Sequence, residues 1–387
     1  MADGPVLTAR LADGVAGLDP AQWDRLAGGD NPFVSHAFLS LLEESGSVGP
    51  GSGWQAAPLL IDDADADVGS FVGALPAYLK THSQGEYVFD QGWAEAYMQA
   101  GGHYYPKLQI AVPFTPVPGP RLLAGDPATQ LGLIRAAEAV VDQNGLSSAH
   151  ATFIAEDEIA LFQQAGWLIR TGSQFHWHNR GYESFEDFLG DLAARKRKAI
   201  RKERAAAQAA VEIVALSGEA LRPEHWDAMW AFYQDTGARK WGRPYLTRAA
   251  FDLMGETMAH KVLLILAYKD DVAVAGALNF IGSDALFGRY WGASLDIPFL
   301  HFELCYYRAI EEAIMRGLAR VEAGAQGDHK LARGYGPVAT YSAHYIPNAG
   351  FRDAVADFLR RESRAMAGEI SWLEAHGPFR KGGPEDH

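Results

Sequence analysis

The sequence predicts an α/β (α+β) protein in which mixed, mostly antiparallel sheets are flanked by helices. Strand-like runs alternate with helical patterns along almost the whole chain. Short motifs also recur in the same order in two halves, which indicates an internal duplication. The 387 residues are too many for one ordinary core. We therefore expect two domains, residues 1–180 and 181–387.

Four features recur in each half. They are a Gly-Ala-Leu strand motif, a tryptophan, two adjacent tyrosines, and a helix that ends in Gly-Leu before a strand. They lie at Val72–Leu79, Trp93, Tyr104–Tyr105 and Gly145–Leu146, and again at Ala275–Ile281, Trp291, Tyr306–Tyr307 and Gly317–Leu318. A single match could arise by chance, but the shared order favours duplication.

The first half begins with a short strand and a helix or turn, and Asn31-Pro32 then introduces a helix. Alternation predicts antiparallel strands over the next segments, and four prolines make Val112–Pro120 extended or turn. The later elements predicted are a helix ending at Gly145, a strand, a helix and two final strands, at Ala128–Asn144, Ser148–Ile154, Asp157–Ala165, Trp167–Arg170 and Gln174–Asn179.

The second half is predicted to begin with one basic helix, from Phe185 to about Ala210. A hairpin around Asp270-Asp271 joins two strands, because such residues suit a tight turn. The other elements predicted are the strands Val211–Leu216, Leu286–Trp291 and Arg320–Ala323 and the helices Pro223–Gln234, Arg248–His260 and Leu304–Met315.

Bulk composition narrows the class of protein. The net charge of −14 argues against a general polyanion or DNA binder, so any contact with nucleic acid must be local. Cys305 is the one cysteine, which excludes an internal disulfide framework and a multi-cysteine metal site, and we expect no metal. The N-terminal residues lack a signal-peptide pattern, and the longest apolar run, Val262–Tyr268, is too short to span a membrane. We therefore expect a cytoplasmic protein.

The segment Glu322–Pro337 is punctuated by glycines and combines an amide, an imidazole and two cations. Glycines allow the backbone to approach a ligand closely, and loops of this kind usually hold an anionic or carbonyl group. We expect four residues here to bind substrate: Gln326, Gly327, Arg333 and Tyr335. A tight surface turn with ordinary charged side chains is the alternative interpretation.

A basic run on the predicted helix 185–210 contains seven cations in ten residues. In an acidic protein such a cluster could grip the phosphates of a donor molecule. The candidate phosphate-binding residues are Arg195, Lys196, Arg197, Lys198, Arg201, Lys202 and Arg204. A solvated helix face is the alternative, since charge runs often are just that.

A cluster in the first half combines aromatic and charged residues. Its members are Tyr87, Asp90, Trp93, Tyr104 and Lys107. Aromatic walls with a few polar groups are typical of a substrate groove. They are equally typical of a packed sheet face, so both interpretations stay open here.

Several stretches resemble the N-acyltransferase family described as peptidoglycan biosynthesis/recognition, which is related to the Fem-type aminoacyl transferases. These are Asn31–Leu39, Gly85–Trp93, Tyr104–Lys107, Val112–Val117, Arg195–Arg204, His301–Glu303 and Gly324–Pro337. Leu161–Trp167, which leads into a strand, is similar to the closing part of a GNAT domain. The resemblance implies two tandem GNAT-like acyltransferase domains that transfer an acyl or aminoacyl group to a small-molecule amine.

The resemblance also bears on the donor. The glycine loop by which many GNAT enzymes bind acetyl-CoA has no clean copy near Ala293–Leu300. Lys330–Gly336 is similar to a lysine-containing segment of the Fem-type enzymes, which use aminoacyl-tRNA. We therefore expect no tightly bound cofactor, and either aminoacyl-tRNA or acyl-CoA as co-substrate. tRNA is thus a possible partner, and the oligomeric state stays open.

Acyl transfer to an amine passes through an oxyanion and needs a proton acceptor. Lys330 is the first candidate to stabilise the oxyanion, and Glu303 and His329 are candidate bases. The alternatives are a solvated surface lysine, a carboxylate that complements a helix dipole, and a structural histidine. A non-catalytic binding protein for peptidoglycan precursors or phosphate-bearing ligands is the competing function.

Overall fold

The computed structural model describes residues 8–63, 69–240, 244–325 and 327–380. They form two compact units, each made of three segments. Unit 1 comprises the described residues within 1–172, 245–250 and 340–366, and unit 2 comprises those within 173–244, 251–339 and 367–387. The division at residue 180 expected from the sequence is a single break, whereas the segments of the two units alternate along the chain.

The strands of the described residues are β1 (Ala9–Leu11), β2 (Trp54–Ala56), β3 (Leu59–Asp62), β4 (Phe71–Leu75), β5 (Ala77–Lys80), β6 (Lys107–Ile110), β7 (Leu123–Ala124), β8 (Ala149–Ile154), β9 (Leu168–His178), β10 (Glu212–Ser217), β11 (Val262–Lys269), β12 (Val272–Ile281), β13 (Ala285–Ala293), β14 (Arg320–Glu322) and β15 (Gly336–Tyr345). The chain passes from unit 1 to unit 2 within β9 and returns within β15.

The α-helices are α1 (Pro20–Ala27), α2 (His36–Glu44), α3 (Gln91–Gln99), α4 (Pro127–Gln143), α5 (Ile159–Gln164), α6 (Phe185–Asp191), α7 (Ala194–Gln208), α8 (Pro223–Lys240), α9 (Arg248–Thr257), α10 (Leu300–Phe302), α11 (Arg308–Met315) and α12 (Ala349–Ala375). A π-helical turn, Glu303–Tyr307, joins α10 to α11. Short 3-10 turns occupy Pro32–Val34, Glu156–Glu158, Gly218–Ala220, Ala259–Lys261 and Asp328–Arg333.

Unit 1 contains a small antiparallel sheet and part of a larger mixed sheet. The small sheet has the order β1-β3-β4-β7, and the larger one includes the run β15-β8-β6-β5-β2. Helix α4 packs on this unit through Leu133, Ile134, Ala137 and Val141, which are fully buried. Leu133 and Ile134 are adjacent, and Ala137 and Val141 follow at intervals of three and four residues. All four therefore lie on one helix face, which is why this segment folds as an amphipathic helix.

Unit 2 contains the run β10-β11-β12-β13-β14-β9. The hairpin between β11 and β12 turns at Asp270 and Asp271, both with positive φ, as a type I′ turn requires. The hairpin expected from the sequence is therefore confirmed. Strand β11 is buried from Val262 to Ala267, which explains its continuous apolar sequence.

The two units share a strand–helix–strand arrangement. In unit 1, β6 and β8 are parallel and α4 lies between them in sequence; in unit 2, β13 and β14 are parallel and are connected through α11. Both helices end at a glycine with positive φ, Gly145 and Gly317. The next amide, of Leu146 or Leu318, donates back into the helix, as in a Schellman cap. The mixed, mostly antiparallel sheets and tandem GNAT-like arrangement expected from the sequence are therefore present.

Other repeated motifs do not occupy matching elements. Trp93 lies in α3, whereas Trp291 lies in β13. The first tyrosine pair precedes β6, whereas the second lies in the π-helical turn. These two sequence matches are therefore not structural equivalents, and the duplication rests on the strand–helix–strand arrangement and its glycine caps.

The observed elements differ from the expected ones in three ways. The helix expected from Phe185 to about Ala210 is two helices, because Leu192 and Ala193 adopt extended backbone between α6 and α7. The two strands expected before residue 180 form one strand, β9, since Gly172 continues the extended chain where a side chain would crowd Thr340. Strand β15 and helix α12 were not anticipated, although Phe351, Val355 and Leu359 recur at helical spacing.

Two general features of the described ranges bear on function. None of the helices within them combines the length and apolar character needed to cross a membrane. Nor do their His, Cys, Asp and Glu side chains gather in any group of three that could hold a metal ion.

Candidate active site

A cleft opens in unit 2 where two parallel strands part. Strands β13 and β14 pair only between Ala285–Phe287 and Arg320–Glu322, after which β13 continues to Ala293. A cavity of about 130 Å³ lies at this point. Its walls come from strands β12 and β13, from α10 and the π-helical turn, and from the chain just after β14. They include Asn279, Gly288, Arg289, Tyr290, Trp291, His301, Cys305, Tyr306 and Ala323.

A strand irregularity lies in this wall. The register between β12 and β13 shifts next to Asn279, which pairs with Gly288, whereas Leu278 pairs with Tyr290. Arg289 is therefore an extra residue on β13, as in a β-bulge. Because a bulge bends and twists its strand, it helps to turn β13 away from the line of β14.

The helical wall is also irregular. The π-helical turn contains Cys305 and Tyr306, and both line the cavity. Such a turn inserts one residue into a helix and is common at functional sites. His301 precedes this turn, and it lines both the 130 Å³ cavity and a neighbouring cavity of about 620 Å³. Trp291 is shared in the same way, so these two residues lie where the two cavities meet.

Lys330 anchors the backbone beside the cleft. Its Nζ donates hydrogen bonds to the carbonyl oxygens of Ala323, at 2.5 Å, and Gly324, at 3.1 Å. The side chain is almost completely buried, and this burial lowers the pKa of Lys330 to about 8. Since Ala323 lines the cavity, Lys330 holds the cavity wall in place, and its ammonium could reach an oxyanion only after leaving these carbonyls.

The other residues of the glycine segment are distributed around this lysine. His329 is exposed, and its Nε2 lies 3.0 Å from the Tyr306 hydroxyl. Its ring lies so close to Gly327, whose φ is 108°, that a Cβ there would clash with it. Tyr335 is fully buried and donates to the backbone oxygen of Tyr306 at 3.3 Å. Gln326 lies outside the described residues.

Arg333 is engaged within the fold. Its guanidinium donates to the Glu203 carboxylate at 2.8 Å and to the backbone oxygen of His329 at 2.8 Å. It also stacks 3.5 Å from the Phe302 ring centre. These contacts fix the end of the glycine segment, and a substrate anion would have to compete with Glu203 for the guanidinium.

Glu303 forms a buried ion pair with the basic helix. Its carboxylate is fully buried and accepts hydrogen bonds from Arg204, at 3.0 Å, and Gln208, at 2.9 Å. Arg204 also pairs with Glu311. Glu303 is therefore an internal partner of the basic helix in this structure, and its role as a base stays a prediction. Arg204 is correspondingly not available for donor phosphates.

The remaining cations of the basic run divide by exposure. Arg195, Lys196, Lys198, Arg201 and Lys202 are exposed on α7, whereas Ile200 and Ala207 on the same helix are buried. Arg201 forms an exposed ion pair with Glu186. Arg197 is half-buried and donates to the backbone oxygen of Gly190 at 3.4 Å. The helix therefore presents a cationic face to solvent and packs through its apolar residues.

In unit 1, the charged residues of the first-half cluster form a sealed network. Lys107 is fully buried; its Nζ donates to Glu86 at 2.7 Å and contacts Asp90. The Tyr104 hydroxyl donates to Asp90 at 2.7 Å and lies 3.1 Å from Nε2 of His150. Asp90, Tyr104 and Lys107 were expected to bind substrate. Because all three are buried and bond to one another, their observed place is the core of unit 1.

Electrostatics inside this network follow from burial and pairing. Burial opposes ionisation of Lys107, but Glu86 and Asp90 outweigh it and raise its pKa. Burial also opposes ionisation of Asp90, yet the charge of Lys107 prevails and lowers the pKa of Asp90 to about 2. For Glu86 burial dominates and raises the pKa to about 7. The network therefore holds a lysine–aspartate ion pair beside a carboxyl that titrates near neutrality.

The other two residues of that cluster lie elsewhere in unit 1. Tyr87 is 36% exposed, and its ring packs edge-on against Tyr245. Trp93 lines a large groove, described below, and also packs against His344 at 4.9 Å between ring centres. Of the five residues expected to form a substrate groove, Trp93 is thus the one that lines an open groove described here.

His301, Asn279 and Arg289 are not among the candidate site residues that the sequence predicts. Asn279 and Arg289 lie at the strand irregularity, and His301 lies in α10, where all three line the cavity at the parting of β13 and β14. That parting could not be read from the sequence without the strand register.

The fold and cleft define a protein with two tandem GNAT-like domains. Residues 14–381 match the family model FemAB_like, described as peptidoglycan biosynthesis/recognition, and the chain belongs to that family. The resemblance stated from sequence is therefore confirmed. A comparison with curated proteins finds no match.

Three solved structures illustrate the shared fold. FemX has a TM-score of 0.55 at 10% identity, covering 88% of this chain and 98% of its own. The C-terminal domain assigned to a lysylphosphatidylglycerol synthetase from Agrobacterium fabrum has a TM-score of 0.53 at 10% identity, covering 88% and 95%. L-PGS from Bacillus licheniformis has a TM-score of 0.51 at 11% identity, covering 86% and 98%. At these identities the likeness concerns the fold.

Proposed function

We propose that the protein is an acyltransferase that moves an acyl or aminoacyl group from an activated donor to an amine, with the unit 2 cleft as the site of reaction. The observation that carries this proposal is the open parting of β13 and β14, lined by polar and aromatic groups. It is supported by membership of the FemAB-like family and by a fold shared with a protein named for the synthesis of lysylphosphatidylglycerol, itself an acyl-transfer product.

The reaction needs no covalent enzyme intermediate. The amine nitrogen attacks the donor carbonyl, a C–N bond forms, and the C–O bond of an ester or the C–S bond of a thioester breaks. The nitrogen loses a proton, and the alkoxide or thiolate that leaves takes one up. Product and donor remnant are then an amide and a free hydroxyl or thiol. The protein has to position both reactants and accept the proton.

Two histidines are the proposed proton acceptors. His301 lines both cavities of unit 2, and His329 contacts Tyr306 of the cavity wall. Each would be replaced by Asn in turn. A general base contributes roughly a hundredfold or more to rate, so one variant is expected to lose that much transfer activity. If both variants retain the full rate, the proposal of a histidine base is wrong.

Lys330 is proposed to position the cavity wall and, once released from its carbonyls, to stabilise the oxyanion. Lys330→Ala should lower the transfer rate under either role. Lys330→Arg separates the two roles. If Lys330 only positions the wall, the arginine variant should keep its rate, because arginine can also donate a hydrogen bond to a carbonyl. If Lys330 stabilises the oxyanion, the variant should be slower, because arginine differs in shape and reach. Unchanged turnover in Lys330→Ala, with an identified substrate pair, would contradict both roles.

The donor is proposed to be an aminoacyl-tRNA, with acyl-CoA as the alternative. The exposed cations of α7 suit a row of phosphates. A gel-shift titration with charged tRNA and a thermal-shift titration with CoA compare the two donors. In the triple variant Lys196→Ala, Lys198→Ala, Lys202→Ala, weaker tRNA binding is expected, with a salt-dependence slope reduced by about 2.

The decisive functional result is product formation. A mass-spectrometric assay would detect the new amide after mixing the protein, each donor and a panel of small amines. Product with one donor supports the proposal and names that donor. Ligand binding without product under all conditions, unaffected by His301→Asn, His329→Asn and Lys330→Ala, would instead support a non-catalytic binding protein for peptidoglycan precursors or phosphate-bearing ligands.

A further inference from the structure

A groove of about 910 Å³ lies in unit 1, and none of the residues proposed for acyl transfer lines it. Its walls are formed by helix α3 and the N-terminal part of α12. Five aromatic rings line it: Phe89, Trp93, Tyr97, Phe351 and Phe358. The volume lies within the range of pockets that bind small molecules, so the groove is large enough for a ligand.

Small residues keep this groove open. Gly92 and Ala96 line it from α3, and Ala354 lines it from α12. Any larger side chain at these positions would extend into the space between the two helices. Phe89 and Phe358 also line the groove and are 61% and 39% exposed, so the apolar surface continues outside it. Exposed apolar surface around a cavity is typical of a binding site.

The groove offers no unpaired charge to a ligand. Arg170 is the charged residue that lines it, and its guanidinium makes two hydrogen bonds to Glu362, both at 2.7–2.8 Å. A third bond, at 2.7 Å, goes to the backbone oxygen of Phe89. The guanidinium is thus neutralised and occupied. The Asn348 side-chain oxygen is likewise taken, since it accepts from the amide of Phe351 at 2.9 Å.

Aromatic walls with neutralised polar groups suit a hydrocarbon better than a sugar or a phosphate. Besides Arg170, the side-chain polar groups of the lining are the Trp93 indole nitrogen, the Tyr97 hydroxyl and the Asn348 amide. They are too few to satisfy the many oxygens of a sugar or a phosphate, and burying such oxygens without partners is costly. A hydrocarbon chain gains free energy for each methylene removed from water. We propose that this groove binds the aliphatic chain of a single-chain amphiphile, with the polar head of that molecule left in solvent.

The test is a calorimetric titration of the full chain with hexanoate, octanoate, decanoate and dodecanoate, each below its micelle-forming concentration. We expect saturable binding whose affinity rises about threefold to fourfold for each added methylene that enters the groove. N-acetylglucosamine serves as the polar probe and should not bind there. Absence of saturable binding for the longer chains would overturn the proposal.

Variants assign the binding to the groove. Ala96→Trp fills it from α3 and should weaken dodecanoate binding by about tenfold or more. Ala354→Phe fills it from α12 and should act in the same direction, so the test does not depend on one variant folding. Ala160→Trp is the matched control, because Ala160 is exposed on α5 and does not line the groove.

Three outcomes would contradict the assignment: equal binding in both filled variants and the wild type, equal loss in the Ala160→Trp control, or tighter binding of N-acetylglucosamine than of dodecanoate. This experiment measures binding alone. Its failure would leave the acyl-transfer proposal intact, and failure to detect transfer would leave the groove proposal intact.

Discussion

The same strand–helix–strand arrangement is filled in unit 1 and open in unit 2. In unit 1, Gly119 bridges Ile154 beyond the paired part of β6 and β8. The fully buried Arg121 donates hydrogen bonds to the carbonyls of Val117, Gly119 and Thr152. The Arg121 side chain thus fills the space beyond the point where β6 and β8 separate and bonds to the backbone carbonyl oxygens there. In unit 2 the corresponding space is the cleft lined by Trp291 and His301.

Two buried lysines show the same contrast. Lys107 in unit 1 lies between Glu86 and Asp90, and its pKa is raised. Lys330 in unit 2 bonds to carbonyl oxygens, and burial lowers its pKa to about 8. A buried lysine with carboxylate partners stabilises the fold, whereas one held only by neutral groups stays close to losing its proton. Lys107 therefore stabilises the fold of unit 1, whereas Lys330 in unit 2 lies closer to losing its proton.

The largest loss of stability is expected when a substitution breaks the buried ion-pair network of unit 1. Lys107→Met removes the cation that contacts both Glu86 and Asp90, and leaves Glu86 only its longer ion pair with Lys80, at 3.9 Å. We expect a loss of about 3–5 kcal/mol in the free energy of unfolding at neutral pH, measured by urea denaturation. Lys202→Met on the exposed face of α7 is the control and should change stability by less than about 0.5 kcal/mol. Equal effects of the two substitutions would refute the contrast.

The next largest effect is a dependence of the free energy of unfolding on pH, caused by Glu86. Its pKa is raised from 4.5 to about 7, so between these values the folded state holds more protons than the unfolded state. The wild type should therefore lose stability as pH rises from about 4.5 to 7, by at most about 1.4 kcal/mol per pH unit from this group. Glu86→Gln should remove that slope in paired urea titrations, and an unchanged slope would count against the assignment.

Lys330 should make the free energy of unfolding rise with pH, the opposite of the Glu86 effect, and at higher pH. Its pKa is lowered from 10.5 to about 8, so between these values the unfolded state holds more protons. Wild-type stability should rise relative to Lys330→Met as pH increases from about 8 to 10.5, by at most about 1.4 kcal/mol per pH unit. Below pH 8 the difference should be constant. A difference that falls over this range would mean that Lys330 is paired with an anion.

The smallest expected effect on stability concerns the basic helix. The triple alanine variant of Lys196, Lys198 and Lys202 removes exposed charges, so its free energy of unfolding should stay within about 0.5 kcal/mol of the wild type. Arg204→Met on the same helix leaves the buried Glu303 without its guanidinium and should destabilise by about 3 kcal/mol. Similar losses in both variants would show that the helix is not divided into an exposed and an internal set.

Local chemistry explains which parts of the fold could be predicted. The turn at Asp270-Asp271 and the glycine caps at Gly145 and Gly317 depend on a few neighbouring residues, and they were identified correctly. The break at Leu192 was missed because the charge run continues the helical pattern in sequence, while Leu192 itself is buried in an extended conformation. Local patterns do not report such tertiary demands.

The site shows the same division. Lys330 was singled out from the glycines around it, and it does lie beside the cleft. The pairing of Glu303 with Arg204 joins residues 99 positions apart, and no local pattern reveals it. The sealed network of Lys107 likewise depends on side chains that meet only in the folded chain. Asp90 and Lys107 were therefore predicted to bind substrate, whereas the structure places them in buried ion pairs.

The most direct test of the cleft as the reaction site is the transfer rate of Ala323→Phe. Ala323 lines the 130 Å³ cavity, and a phenylalanine there would occupy much of it. Ala325→Phe is the matched control, two residues further along and exposed. The cleft account predicts that Ala323→Phe remains folded and loses at least about tenfold in transfer rate, while Ala325→Phe keeps the wild-type rate. Equal rates in all three proteins would contradict it.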